Sequence, residues 1–252
     1  MKDKVSRDNR KALPKFLALV LGAALLGGVV GFFSAMAADG FSGEALQARV
    51  ELFLTALVPW GLPVCGAVLL IPAAVLLGKA RAQFAAWDGE DEDVGFSVED
   101  RLNVVMLLTT LGMIVGLFFL SLGLLYAEGS FRLLANTAFF LVDMVAIVLL
   151  QQKVVDLTRR MNPEKEGSVY DQKFHKKWFE SCDEAERAQI GQASYRAFQT
   201  TSGVCMIVWL VLLLGSLFYP MGFLPTLAVL VIYGVLQGRY LVECIRMHRR
   251  TR

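Results

Sequence analysis

The sequence predicts an all-α, polytopic membrane protein: six transmembrane helices, with a cytoplasmic helical hairpin between helices four and five. Three observations carry the prediction. First, 56% of the 252 residues are hydrophobic and mean hydropathy is +0.53, above the about 45–50% apolar content of soluble domains. Second, the excess is gathered into uninterrupted blocks near the ~20 residues that a helix needs to cross a bilayer. Lipid offers no partner for backbone N–H and C=O, so a span is a helix or part of a closed barrel. The blocks show no period-two alternation, which excludes the barrel. Third, the basic residues collect on one side of the predicted layout, as counted below.

Net charge is +2, from 25 basic and 23 acidic side chains. Such a balance argues against nucleic acid as a partner. The cysteines, Cys65, Cys182, Cys205 and Cys244, form no C-x-x-C pair and read as reduced and structural. His175 and His248 are too few and too far apart to suggest a metal site, and no cofactor is expected.

The chain opens on a basic arm with Lys2, Lys4, Arg7, Arg10, Lys11 and Lys15. Pro14 stands where a helix can begin, because the first turn does not use its missing N–H. The first apolar run, 16–36, has two readings. A signal peptide would carry this basic start, an apolar core and the A-x-A sequence Ala35-Met36-Ala37. The apolar core exceeds the usual length for a signal, about 7–15 residues, which favours a retained helix. Gly27-x-x-x-Gly31 lies on it, either as a close-approach face or as ordinary small residues of a membrane helix.

A short polar link leads to the second run, 50–77, which contains Pro59, Pro63 and Pro72. Each proline removes a backbone donor. The expectation is an approach helix over 45–58, a break and candidate hinge at Pro59-Trp60-Gly61-Leu62-Pro63, and a main span over 62–77. Trp60 suits the interfacial aromatic belt. Residues 79–101 read as a polar loop holding Asp88-Gly89-Glu90-Asp91-Glu92-Asp93. The spacing is not that of an EF-hand. A solvated acidic loop competes with cation binding or a basic partner.

The third span, 102–126, carries Gly112-x-x-x-Gly116 and the pair Thr109 and Thr110, whose hydroxyls can bond carbonyls one turn back. A tight turn precedes the fourth span, 133–150. The insert 151–201 follows. Its first part extends the fourth helix into water, and Asn162-Pro163 breaks it. From there Tyr170, Phe174, Trp178, Cys182 and Ala185 recur three or four apart, on one face of a helix. That helix is expected to run on through Ile190 and Phe198 into the fifth span, 204–219. Pro220-Met221-Gly222 is a turn, and 223–240 is the sixth span.

Six spans place both termini on one side. The arm, the second-to-third loop, the insert and the tail then hold 23 of the 25 basic residues, and only Arg49 and Arg132 fall opposite. The positive-inside rule makes the rich side cytoplasmic. Localisation in a cell membrane, multi-pass with cytoplasmic N- and C-termini, follows.

A resemblance enters on these residues: Met161-Asn162-Pro163-Glu164-Lys165, then Tyr170-Asp171-x-x-Phe174-x-x-Lys177-Trp178, then Asp183-Glu184-Ala185-Glu186. They are similar to the cytoplasmic region of the bacterial family catalogued as domain of unknown function 3169. The basic start, the Gly-rich first helix and the acidic stretch 87–93 resemble it too. The resemblance implies a bacterial multi-pass membrane protein and carries no activity, ligand or catalytic residue. A weaker internal echo sets Trp87 with Asp91-Glu92 beside Trp178 with Asp183-Glu184, as a parallel repeat or as chance.

Chemistry points to Asp143, near the middle of the fourth span, where a charge costs about 2.5–3.5 kcal/mol or more. Such a residue marks a functional site, or it glues helices through Thr109, Thr110 or Asn136. No H-E-x-x-H, G-x-S-x-G or P-loop pattern occurs, and no second buried aspartate is available for proteolysis. The sequence therefore predicts a non-enzymatic membrane component that regulates or anchors a protein partner at the cytoplasmic face through the hairpin and the acidic loop, with Trp178, Asp183 and Glu184 among the candidate functional residues. The alternative is a small transporter or permease subunit using Asp143 and the Pro59/Pro63 region.

Overall fold

The structure, a computed structural model, describes residues 43–127, 129–216 and 222–250 and isolated positions between 14 and 28. The first predicted span, with its glycine pair and A-x-A sequence, lies largely outside the described residues, as do the basic arm before Pro14 and the Pro220-Met221 turn. Among the described residues from 43 on, six helices follow one another: α1 Gly43–Ala86, α2 Glu92–Tyr126, α3 Ser130–Met161, α4 Phe174–Glu180, α5 Glu184–Gly215 and α6 Leu224–Arg250. The described residues thus hold an all-helical protein. Five of its helices are long and apolar enough to cross a membrane: Ala48–Ala86, Glu92–Tyr126, Ser130–Met161, Glu184–Gly215 and Leu224–Met247.

Two expectations about breaks are corrected. Pro59, Pro63 and Pro72 all lie inside one uninterrupted 44-residue helix, so the expected division between approach helix and main span does not exist. Each proline forfeits one backbone hydrogen bond, whereas a true break in an apolar medium would orphan several groups. The expected 79–101 loop shrinks to residues 87–91, because α1 runs to Ala86 and α2 starts at Glu92. The last three residues of the acidic stretch form a helix start. Asp91 is the N-cap and its Oδ1 accepts from the Asp93 N–H at 3.0 Å. Glu92 and Asp93 occupy the first turn, where the helix's positive end favours them.

The chain divides into two compact units, one of residues 49–194 and one of residues 1–48 with 195–252. In the first, α1, α2 and α3 bury Ala73, Leu77, Ala80, Val98, Leu102, Val105, Val154 and Leu157 in one cluster. Small residues set the approach further along. Gly112 faces Leu70 and Ile147, and Gly116 faces Met144 and Phe140. This is the close-packing face that the Gly112-x-x-x-Gly116 spacing allows. Gly123 lies under the Asn136 side chain, whose Nδ2 donates to the Phe119 carbonyl at 3.3 Å. In the second unit, Phe198 stacks on Tyr240 with ring centroids 4.4 Å apart, and Gln237 Nε2 donates to Ser202 Oγ at 3.0 Å. Large apolar side chains stand on the outside of both units, among them Phe131, Leu125, Ile207 and Val235. An exposed surface of this kind is what a bilayer covers.

Candidate functional site

The insert is built on the end of α3. That helix stops at Met161, with Asn162 as its C-cap; Pro163 behind it disfavours a helical Asn162 and cannot continue the ladder. Arg159 and Arg160 sit in the last turn, beside the negative end of the helix. The chain then folds back. Arg159 Nε donates to the Lys165 carbonyl at 3.2 Å. Gln152 Oε1 accepts from the Val169 N–H at 2.9 Å and from Ser168 Oγ at 3.1 Å. Gly167 has φ +133°, and a Cβ there would also meet the Phe174 ring at 2.8 Å, so both backbone and space require glycine. Asp171 Oδ1 accepts from the Lys173 N–H, and its Oδ2 pairs with Lys177 at 2.6 Å. The hydrogen bond from Lys177 holds the Asp171 carboxyl below its ordinary range and raises the Lys177 ammonium in return.

The single helix expected from Tyr170 to Phe198 is two helices, and this is a further correction. α4 is seven residues long and ends at Glu180. Arg187 supplies the missing donors, with Nη2 on the Glu180 carbonyl at 2.7 Å and Nε on the Phe179 carbonyl at 3.3 Å. α5 then starts with a reciprocal cap: Asp183 Oδ1 accepts from the Glu186 N–H at 2.8 Å, and Glu186 Oε2 accepts from the Asp183 N–H at 3.0 Å. The predicted stripe survives in its middle. Phe174 and Trp178 are half-buried with ring centroids 5.5 Å apart and Cys182 is buried, while Tyr170 and Ala185 face outward. Cys182 Sγ lies 3.2 Å from the Trp178 carbonyl, and burial raises its thiol against the pull of the Lys165 charge.

Lys165 is the pivot of the insert. It is 4% exposed and pairs with Glu186, the same carboxylate that caps α5. Burial lowers the ammonium's affinity for its proton, but the hydrogen bond and charge of Glu186 outweigh it, and the pKa is raised. One carboxylate thus ties the chain after α3 to the start of α5. Between these parts lies a cleft of about 480 Å³. Its apolar floor includes Leu102, Met106 and Val154, and Trp178 forms part of a wall. Its polar edge includes Glu99, whose Oε1 accepts from Asn162 Nδ2 at 3.1 Å, and the Lys165–Glu186 pair. A concave surface of mixed character and this volume suits a small ligand or an inserted side-chain cluster.

The residues singled out in the sequence scatter. Trp178 lines the cleft, Asp183 caps α5 and Glu184 is exposed in its first turn. Thr109 is fully buried; its Oγ1 bonds the Val105 and Met106 carbonyls and receives Gln151 Nε2 at 3.4 Å, while Thr110 faces outward. Pro63 is half-buried and Pro59 exposed on α1. Asp143 is half-buried against α1, where a Cβ on Gly66 would lie 2.8 Å from both its oxygens. None of the proposed partners, Thr109, Thr110 or Asn136, hydrogen-bonds it: Thr109 and Asn136 are engaged elsewhere. The cleft does not include Asp143. Sequence reasoning missed Lys165 and Glu186 as a pair. Asp183-x-x-Glu186 was readable as a capping box, but nothing local distinguishes Lys165 from the other cations of the insert. No curated protein and no solved structure matches the chain. The model of the family described as "Protein of unknown function (DUF3169)" matches residues 10–242, nearly the full length, and the chain belongs to that family.

Proposed function

We propose that the protein is a non-enzymatic component of the bacterial cell membrane that anchors or regulates a protein partner through the insert, on the cytoplasmic side with both termini. The observation that carries this reading is the construction of the insert itself. A solvated linker needs no buried lysine tied to a carboxylate, no reciprocal cap and no glycine held at positive φ; residues 162–186 have all three, around an open cleft. Two aromatic side chains stand out from it, Tyr170 at 64% and Phe179 at 45% exposure, as anchors of the kind that interfaces use. The distribution of Lys and Arg supports the orientation.

Purification of the tagged full chain in mild detergent tests the proposal. A stoichiometric partner is expected with the wild type, and loss of that partner with Tyr170→Ala combined with Phe179→Ala. Both positions are exposed, and since Arg187 lies over the Phe179 ring at 5.8 Å, an unchanged melting temperature of the double variant checks that the fold is retained. A second reading, a small transporter or permease subunit, draws on Asp143 lying in a span without the expected hydrogen-bond partners. Absence of any stoichiometric partner, together with solute uptake in proteoliposomes that Asp143→Asn abolishes, would replace the first reading by the second.

A further inference from the structure

A separate surface, on the seam between α1 and α3, carries two adjoining features. The first is a basic hollow of about 430 Å³ lined by Arg81, Lys153 and Arg160 over Phe84 and Leu157. The three cations are exposed, and none forms an ion pair or hydrogen bond with a described residue. Asp156 also lines the hollow, and its Oδ1 is held by Gln152 Nε2 at 2.8 Å, so three positive charges face one negative. The second is an apolar groove of about 560 Å³ along the same two helices, between Leu70, Ala74 and Val75 of α1 and Ala146 and Leu149 of α3. Lys153 lines both.

The order along the helices is the informative part. Ala74 precedes Arg81 by seven residues, and Ala146 precedes Lys153 by seven, or about 10 Å of rise in each case. On both helices the apolar groove comes first and the cations follow, at the end of α1 and α3 that leads into polar sequence. A phosphate at the hollow and an acyl chain along the groove would meet both at once. A free phosphate would leave the groove unused, and bulk zwitterionic lipid would gain little from the cations.

We propose that this seam is a binding site for one anionic phospholipid, with its headgroup phosphate among Arg81, Lys153 and Arg160 and one acyl chain between Ala74 and Ala146. Basic pockets between helices at a membrane surface take anionic headgroups for this reason. The site depends on the membrane assignment and not on the protein partner proposed above.

Native mass spectrometry of the delipidated full chain in detergent, titrated with palmitoyl-oleoyl phosphatidylglycerol or phosphatidylcholine, tests it. Phosphatidylglycerol is expected to bind at least tenfold tighter, with one molecule retained. Arg81→Gln, Lys153→Gln and Arg160→Gln each lower that preference about fivefold, the factor for one cation near an anionic surface, and together they remove it. Ala74→Trp, at an exposed position, fills the groove and lowers retention about tenfold. Equal retention of the two lipids overturns the proposal, as does an unchanged preference in the triple variant. Competition by inorganic phosphate with no effect of Ala74→Trp also overturns it, in favour of a phosphate site. Failure to find a protein partner leaves these outcomes unchanged, so the two proposals fail separately.

Discussion

Lys165 lies in the insert, 4% exposed, with Glu186 on its ammonium and Arg159 on its carbonyl. Asp143 lies midway along α3, half-buried against Gly66, without a bond from Thr109, Thr110 or Asn136. Both are ionisable side chains of the same unit, Lys165 buried and Asp143 half-buried. Around Lys165 the surroundings are arranged to keep the charge: a carboxylate, a capped helix and a turn all converge on it. Around Asp143 the described residues show no hydrogen bond to the carboxylate; the glycine packed against it leaves out a side chain that would press on its oxygens. A buried charge tied to a carboxylate that also caps a helix is part of the architecture. A polar group in a span without such partners costs free energy that something other than folding must justify.

The largest effect of a substitution belongs to Lys165. Lys165→Ala is expected to destabilise the unit by about 2–3 kcal/mol, below the ~3–5 for a fully buried pair because Glu186 is 39% exposed. Thermal melting in detergent, with hydrogen exchange over residues 162–186, reads it. The pair also sets an alkaline limit. Because the folded pKa of Lys165 is raised, its stabilisation is complete below the ordinary lysine value of about 10.4 and is lost as pH rises through the folded value. Lys165→Ala should flatten that alkaline fall, and an unchanged melting temperature at every pH would show the pair to be incidental.

Next comes Gly123→Ala, in the membrane half. A Cβ there would stand 2.0 Å from Asn136 Nδ2 and 2.5 Å from its Cγ, so Asn136 must leave the Phe119 carbonyl. A loss of about 1–3 kcal/mol is expected, from an orphaned buried amide and a displaced side chain. Unaffected melting would show that α2 and α3 can part enough at Gly123 to admit a methyl group. Asp183→Ala removes the α5 cap and is expected to cost about 1 kcal/mol, with faster exchange confined to the first turn of α5. Glu184→Ala, one residue on and exposed, should change little and serves as its control.

Smallest of all for stability is Asp143→Asn, within about 0.5 kcal/mol of the wild type if the carboxylate carries no structural bond. The same substitution should remove any proton-linked activity. A melting temperature lowered as far as that of Lys165→Ala would place Asp143 with the architectural charges and end the contrast between them.

Much of this was legible from the residues in order. The apolar runs pointed to helices long and apolar enough to cross a membrane, and Asn162-Pro163 marked the end of α3, because both depend on groups next to one another in the chain. The echo of Trp87 with Asp91-Glu92 in Trp178 with Asp183-Glu184 also has a local cause: each aspartate caps the helix that follows. The errors have causes as well. Three prolines in the 44-residue α1 read as a break only if water is available to the freed carbonyls, and along an apolar run it is not. The single helix expected across Ser181 ignored Arg187, whose guanidinium reaches back to close α4.

By itself the sequence determined the solvent of this protein, the helical class, the family and the polar character of the insert, since hydropathy and backbone satisfaction act residue by residue along the chain. The fold decided which lysine among nine basic residues of the insert is buried, which aspartate is left without the expected bonds, and that Arg81 and Lys153 line one hollow. Those outcomes depend on what lies across from a side chain, and residues far apart in sequence meet only when helices pack.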